Sequence, residues 1–136
     1  MITEDYVSFE IAQLLKEKGF DGHTYAYYED EDNPNISLHA SKSINWNKTE
    51  FISKPTLQMV MKWLRERRIF IDIFHYNSKF APFVWMIFAY NKTSPQRAET
   101  YEEAAEAAIK YILENWDDVN SVLDEYYKVD KKLPMI

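Results

Sequence analysis

The sequence predicts an α+β protein with a mainly antiparallel sheet, and three observations lead to that class. Apolar residues recur at helical spacing in three well-separated stretches. Between those stretches lie short runs rich in tyrosine, phenylalanine and isoleucine, bounded by turn residues and too short for ordinary helices. Two glycines and five prolines in 136 residues leave little room for long flexible linkers. The expected order is helix-hairpin-helix-hairpin-helix: two hairpins packed with three or four helices, in a single domain over residues 1–128 with a frayed tail over 129–136.

The first helix is expected to begin at a Thr3 cap, with Glu4 and Asp5 in its first turn and Lys16 and Lys18 in its last. Val7, Ile11, Leu14 and Leu15 supply its apolar stripe, Gly19 its stop and Phe20 a ring to fold back over the final turn. A hairpin follows, His23 to Tyr28 against Ile36 to Ala40, closed by the acidic loop EDEDNPN. In Ser41 to Ser53, Ile44 and Trp46 alternate like a strand while Asn45, Asn47 and Lys48 read as loop, so a short edge strand or irregular connection is expected.

The centre of the chain is Pro55 to Tyr90. Leu57, Val60, Met61 and Leu64 recur at i, i+3, i+4 and i+7, and Met59 and Trp63 widen the stripe. Pro55 suits the first turn, and Arg65, Arg67 and Arg68 place positive charge at the negative end of the helix dipole. In the strands that follow, Ile69, Ile71 and Ile73 share a face opposite Phe70, Asp72 and Phe74. Phe83, Trp85 and Ile87 likewise stand opposite Val84, Met86 and Phe88. Both faces are apolar, so either helices cover part of each or one face meets a partner. NKTSPQRAE reads as a loop into a helix opened by a Thr100–Glu103 capping box, with Tyr101, Ala105, Ala108, Ile109, Ile112 and Trp116 on its buried face. Val119, Val122, Leu123, Tyr126 and Tyr127 continue that helix or form a separate short one from about Asp117 or Asp118.

Three stretches, MITEDYVSFEIAQLLKEKGFDG, PTLQMVMKWLRE and YEEAAEAAIKYILEN, resemble a group of short uncharacterised proteins of gut Bacteroides-type bacteria and their phages or mobile elements. The resemblance implies a bacterial or phage cytosolic origin and brings no activity or catalytic residue with it.

Composition removes several function classes. The absence of cysteine excludes a disulfide framework, a thiolate metal site and a thiol nucleophile. No apolar run approaches membrane-spanning length and the N-terminus is acidic, so the reading is cytoplasmic, without a membrane partner. The loop Glu29, Asp30, Glu31, Asp32, Asn33 fails as a calcium loop, because Pro34 and Ser41 stand where ligands are needed. His23, His39 and His75 lack metal-binding spacing, though pairing of the first hairpin would bring His23 and His39 onto neighbouring strands. No GxSxG, GxGxxG or P-loop is present, so no catalytic, cofactor or metal residue is assigned, and an enzyme would have to use an unrecognised site.

What remains is binding. Twenty-two aromatic residues supply large rigid contact area, and the reading is a non-enzymatic protein-protein interaction module that binds a protein partner or itself. The candidates are Tyr25, Tyr27, Tyr28, Tyr76, Tyr90, Tyr126 and Tyr127. Charge offers two alternatives. Lys62, Trp63, Arg65, Arg67 and Arg68 combine basic side chains with a ring for nucleic-acid contact, against a net charge of −6. Conversely Glu99, Glu102, Glu103, Glu106, Glu114, Asp117 and Asp118 could imitate nucleic acid. Packing should outweigh charge in the central helix, since a buried apolar side chain contributes roughly 1.5–3 kcal/mol and a charge at the helix end about 0.3–1 kcal/mol. Leu64→Asp is therefore expected to lower the urea midpoint far more than Arg67→Ala, and comparable midpoints would contradict the helix stripe.

Overall fold

The structure, a computed structural model, describes residues 2–29, 32, 34 and 36–132. Within them are four α-helices and two three-stranded antiparallel sheets, the α+β class that the sequence predicts. The chain divides into two units, Met1–Arg67 and Arg68–Ile136, each with its own sheet. Asp30, Glu31, Asn33 and Asn35 of the acidic loop lie outside the described residues.

In the first unit, helix α1 spans Phe9–Glu17 and is capped by Ser8, whose Oγ accepts the Ile11 N–H at 3.3 Å. The expected start at Thr3 is corrected: the preceding segment is extended, with Tyr6 bridged to Thr56. Tertiary hydrogen bonds selected the later cap. Val7 N–H donates to the Pro55 carbonyl at 3.0 Å, and the Asp5 carbonyl accepts Leu57 N–H at 2.9 Å. The second bond satisfies a first-turn donor of the next helix that has no partner within that helix. α1 ends as the sequence predicts. Gly19 sits at φ 86°, Phe20 N–H donates to Leu15 O at 2.9 Å and Gly19 N–H to Lys16 O at 3.2 Å, the paired bonds of a Schellman motif. Phe20 is buried, its ring edge-on to Trp63 with centroids 5.5 Å apart.

Strand β1 (Thr24–Tyr28) lies between β2 (Ser37–Ile44) and β3 (Ile52–Ser53). β2 runs beyond the expected end at Ala40, and the register shifts between Thr24↔Ile44 and Ala26↔His39. The doubtful segment after it resolves into a single 3-10 turn, Trp46–Lys48, and a short edge strand. Polar side chains hold that segment: Trp46 Nε1 donates to Thr24 O at 2.7 Å, Asn47 Nδ2 to Phe20 O at 3.0 Å, and Asn47 Oδ1 accepts Ser53 N–H at 2.9 Å. Helix α2 (Leu57–Glu66) buries Leu57, Val60, Met61, Trp63 and Leu64. Its cap is Thr56, with Pro55 just outside the helix and not in its first turn. The Thr56 hydroxyl accepts Met59 N–H at 3.2 Å, a bond that Pro55 could not replace.

In the second unit, β4 (Ile71–His75) and β5 (Phe83–Ile87) form the expected hairpin. NKTSPQRAE is not wholly loop: Gln96–Ala98 forms strand β6 against β5, giving the order β4-β5-β6. Helix α3 (Tyr101–Glu114) contacts all three strands and buries Ala104, Ala105, Ala108, Ile109, Ile112 and Leu113. Thr100 Oγ accepts Glu103 N–H at 3.1 Å, whereas the Glu103 carboxylate takes Glu99 N–H at 3.3 Å instead of the Thr100 N–H expected of a capping box. Asn115 ends α3, and α4 (Trp116–Lys132) is a separate helix, longer than expected, that buries Val119 and Leu123 and carries the chain into the segment read as a tail.

Both glycines occupy positions that reject a larger residue for different reasons. At Gly19 a Cβ would meet nothing within 4 Å but the backbone is left-handed; at Gly22 it would lie 2.6 Å from Phe20 Cζ. Gly19→Ala is expected to cost about 1–2 kcal/mol through the backbone alone, and Gly19→Asn less. Gly22→Ala is expected to perturb the Phe20–Trp63 contact, read as a change in tryptophan fluorescence that Gly19→Ala lacks.

Candidate functional site

The site is built from the two-residue period of β4 and β5 in the second unit. Ile71↔Ile87, Ile73↔Trp85 and His75↔Phe83 put one set of side chains on the face that α3 covers. There Trp85 lies 5.9 Å from the Tyr111 ring and Phe83 6.4 Å edge-on from Tyr101. The alternate set faces the other way. Phe70 opposes Phe88 through the Phe88 N–H to Phe70 O bond of 2.9 Å, followed by Asp72↔Met86 and Phe74↔Val84. Tyr76, whose N–H reaches Pro82 O at 2.7 Å, continues the row. Arg97 on β6 pairs with Val84, and its guanidinium lies 5.9 Å from the Tyr76 ring centroid.

The rings of this outer face are exposed, although Val84 among them is buried and Asp72 and Met86 are half-buried. Phe70 is 38% exposed, Phe74 44%, Tyr76 52% and Phe88 45%, with Asp72 the only carboxylate in the rows described. Phe88 meets Tyr126 of α4 edge-on at 5.8 Å, so α4 reaches the row at one end. Clustered rings exposed to this degree are what distinguishes a contact surface from ordinary scattered apolar residues.

The sequence-derived aromatic candidates divide. Tyr76 and Tyr126 are exposed and lie on or beside this face. Tyr127 is half-buried under the Arg68 guanidinium at 3.8 Å and donates its hydroxyl to Arg68 O at 2.7 Å. Tyr90 is buried. In the first unit, Tyr25 is exposed and stacks on His39 at 5.8 Å, and Tyr27 is stacked on Trp46 at 4.1 Å. Tyr28 is buried, with its hydroxyl donating to Val7 O at 3.0 Å. Tyr28 and Tyr90 are thus occupied by internal structure. Phe70, Phe74 and Phe88 are the members missed; the signal was present in the parity of phenylalanines against isoleucines along β4.

The nucleic-acid candidates divide too. Lys62, Arg65, Arg67 and Arg68 are exposed, but Trp63 is buried, with Phe20 at its edge and the Arg67 guanidinium 4.1 Å from its centroid. A base cannot stack on a ring so enclosed. Of the acidic candidates, Glu103 bonds Glu99 N–H and Asp118 is engaged by Tyr90 and Lys92.

A cleft of about 410 Å³ in the second unit is lined by Trp85, Gln96, Lys110, Tyr111 and Glu114 among others. Beside it, Tyr90 donates its hydroxyl to Asp118 Oδ2 at 2.6 Å and lies 3.2 Å from the Tyr111 hydroxyl, while Lys92 Nζ donates to Asp118 Oδ1 at 2.7 Å. Burial, and then the bond to Asp118, pushes the Tyr90 phenol well above its ordinary value. The Lys92 ammonium, and then the Tyr90 hydroxyl, hold Asp118 below its own. Both groups move away from neutrality, so neither is poised to exchange protons near pH 7. The network pins the segment after β5 to the first turn of α4. Among the described residues no group of three or more His, Cys, Asp or Glu side chains could hold a metal ion, and no helix is long and apolar enough to cross a membrane. No protein-family model matches the chain, nor does any curated protein or solved structure.

The network makes stability pH-dependent in both directions. A lowered Asp118 contributes stability that is present above the ordinary carboxylate value and lost as pH falls through the folded value; a raised Tyr90 contributes stability present below pH 10 and lost as pH rises above it. Asp118→Asn is expected to flatten the acid limb of the urea-midpoint profile and Tyr90→Phe the alkaline limb. Unchanged limbs would show that the network carries no linkage.

Proposed function

We propose that the chain acts by binding protein, itself included, through the outer face of the β4–β5–β6 sheet. The observation that carries this reading is the single row of Phe74 on β4 with Phe70 and Tyr76 just beyond its two ends, faced by Phe88 just after β5, on the side of the sheet opposite α3. Large rings lose little side-chain entropy on docking and bury large area, which is why they dominate interface energetics. Asp72 and Arg97 add opposite charges near the row, which favour orientation more than affinity. The Tyr90–Asp118 pair is not tuned for proton transfer near neutral pH, and the enclosed Trp63 weighs against nucleic acid. A bacterial cytoplasmic setting is compatible with this reading and adds nothing to it.

The test is retention of protein from bacterial lysate by the tagged chain, with nuclease-treated and untreated samples side by side. A Phe70→Ser/Phe74→Ser variant with an unaltered thermal midpoint is expected to lose a nuclease-resistant partner. Each ring is partly exposed, so the variant removes contact area without opening the α3 side of the core. Retention that is unaffected by the substitutions overturns the assignment of the face, and retention that nuclease abolishes reassigns the protein to nucleic acid.

A further inference from the structure

We propose that the chain pairs with a second copy of itself, edge to edge along β4, so that two three-stranded sheets become one continuous sheet. The inference rests on the protein-binding reading and names its partner. It starts from the backbone. With Phe88 N–H bonded to Phe70 O and Tyr76 N–H to Pro82 O, the main-chain groups of residues 70, 72, 74 and 76 point at β5. The antiparallel ladder alternates, so those of Ile71, Ile73 and His75 point away from it, along the free edge of the sheet.

Other edges of the two sheets carry features that discourage pairing. β3 has two residues; β6 has three, follows Pro95 and carries Arg97; β2 carries Lys42 and a register shift. β4 has five residues with no proline, glycine, lysine or arginine. An edge strand without such protection is a template for another strand.

Two-fold symmetry requires the same strand on both sides and hence antiparallel pairing. Three registers, centred on Asp72, Ile73 or Phe74, use the outward-facing groups and keep α3 on the same side in both copies, and only the one centred on Ile73 pairs the whole of Ile71–His75; centring on Phe74 leaves Ile71 and Asp72 without a partner inside the strand. Centring on Asp72 places two carboxylates directly opposite at the closest cross-strand spacing, which is repulsive. Centring on Ile73 avoids this: Ile73 pairs with Ile73 of the second copy and Ile71 with its His75, each pair exchanging both hydrogen bonds, while Asp72 stands opposite Phe74 and Phe70 opposite Tyr76. The aromatic rows of both copies then adjoin on the outer face. The occupant is a second copy because the strand is self-complementary in that register and its one charge finds no like charge across the axis.

Sedimentation equilibrium of the untagged chain from low to high micromolar concentration tests this, with a mass rising from one chain to two expected. Ile73→Pro removes an outward-pointing N–H, which an edge strand tolerates, together with a half-buried side chain on the α3 face; it is expected to hold the protein at one chain with its helical circular dichroism intact, and Ile73→Ala, which loses the side chain and keeps the N–H, is expected still to dimerise. Phe74→Lys sets an ammonium opposite Asp72 of the second copy and is expected to tighten dimerisation roughly threefold to tenfold, in a way that salt reverses. Phe74→Asp is expected to loosen it by a similar factor. A single-chain mass at every concentration overturns edge pairing, as does a dimer that survives Ile73→Pro or responds alike to Phe74→Lys and Phe74→Asp. If the single chain still retains a lysate protein that Phe70→Ser/Phe74→Ser abolishes, the wider binding reading stands without the dimer; if retention ignores those substitutions, both fall.

Discussion

A sheet has two faces, and in the second unit the one helix that contacts all three strands, α3, lies on one of them. The alanines at 104, 105 and 108 let α3 lie close to the strands, and Ile109, Ile112 and Leu113 complete its buried stripe. The isoleucines of β4, with Phe83, Trp85 and Ile87 of β5, fill that side. The phenylalanines of β4 fall on the other by parity alone. A one-residue slip of register would exchange the two sets, so the half-burial of Ile71 and Ile73 and the exposure of Phe70 and Phe74 are a single fact.

The first unit handles the same problem differently. There the residues after β2 fold back, and Trp46 and Phe51 lie against the ring of Tyr27 on the face opposite Thr24, Ala26 and Tyr28. The covering segment is irregular, and it holds its position because its polar side chains are bonded to backbone: Trp46 to Thr24 O and Asn47 to Phe20 O. Lys16 adds a tether from α1, with Nζ donating to Thr49 O and Phe51 O at 3.0 and 2.8 Å. Loop composition and core packing are compatible here because these side chains are bonded to backbone groups.

What could be read in advance follows from which interactions are local. The stripe of α2, the Gly19 stop of α1 and the Thr100 cap of α3 are set by residues within a turn or two, and all were legible. The start of α1 was not, because Thr3 and Ser8 are both competent caps and the choice lies with hydrogen bonds to Pro55 and Leu57, far along the chain. β6 was hidden for a related reason: Gln96, Arg97 and Ala98 have no strand preference of their own and become a strand only because β5 offers an edge. At the candidate site, the tyrosines drew attention as interface residues in general, but Tyr28 and Tyr90 proved to spend their hydroxyls internally. The phenylalanine row needed knowledge of which strand face α3 takes, and a sequence with two apolar faces does not say.

The order of the elements along the chain also sets an order in time. β4 and β5 leave the ribosome before α3, and at about 5–20 residues per second the hairpin waits on the order of seconds for its cover. An isolated two-stranded hairpin is marginal in water, so until α3 arrives neither face of Ile71–Ile87 is shielded and the strands are held only loosely. The nascent chain therefore passes through an interval in which it is stickier than the finished protein. Its safe production depends on how quickly Tyr101–Glu114 follows, or on a holdase that recognises extended apolar segments meeting it first.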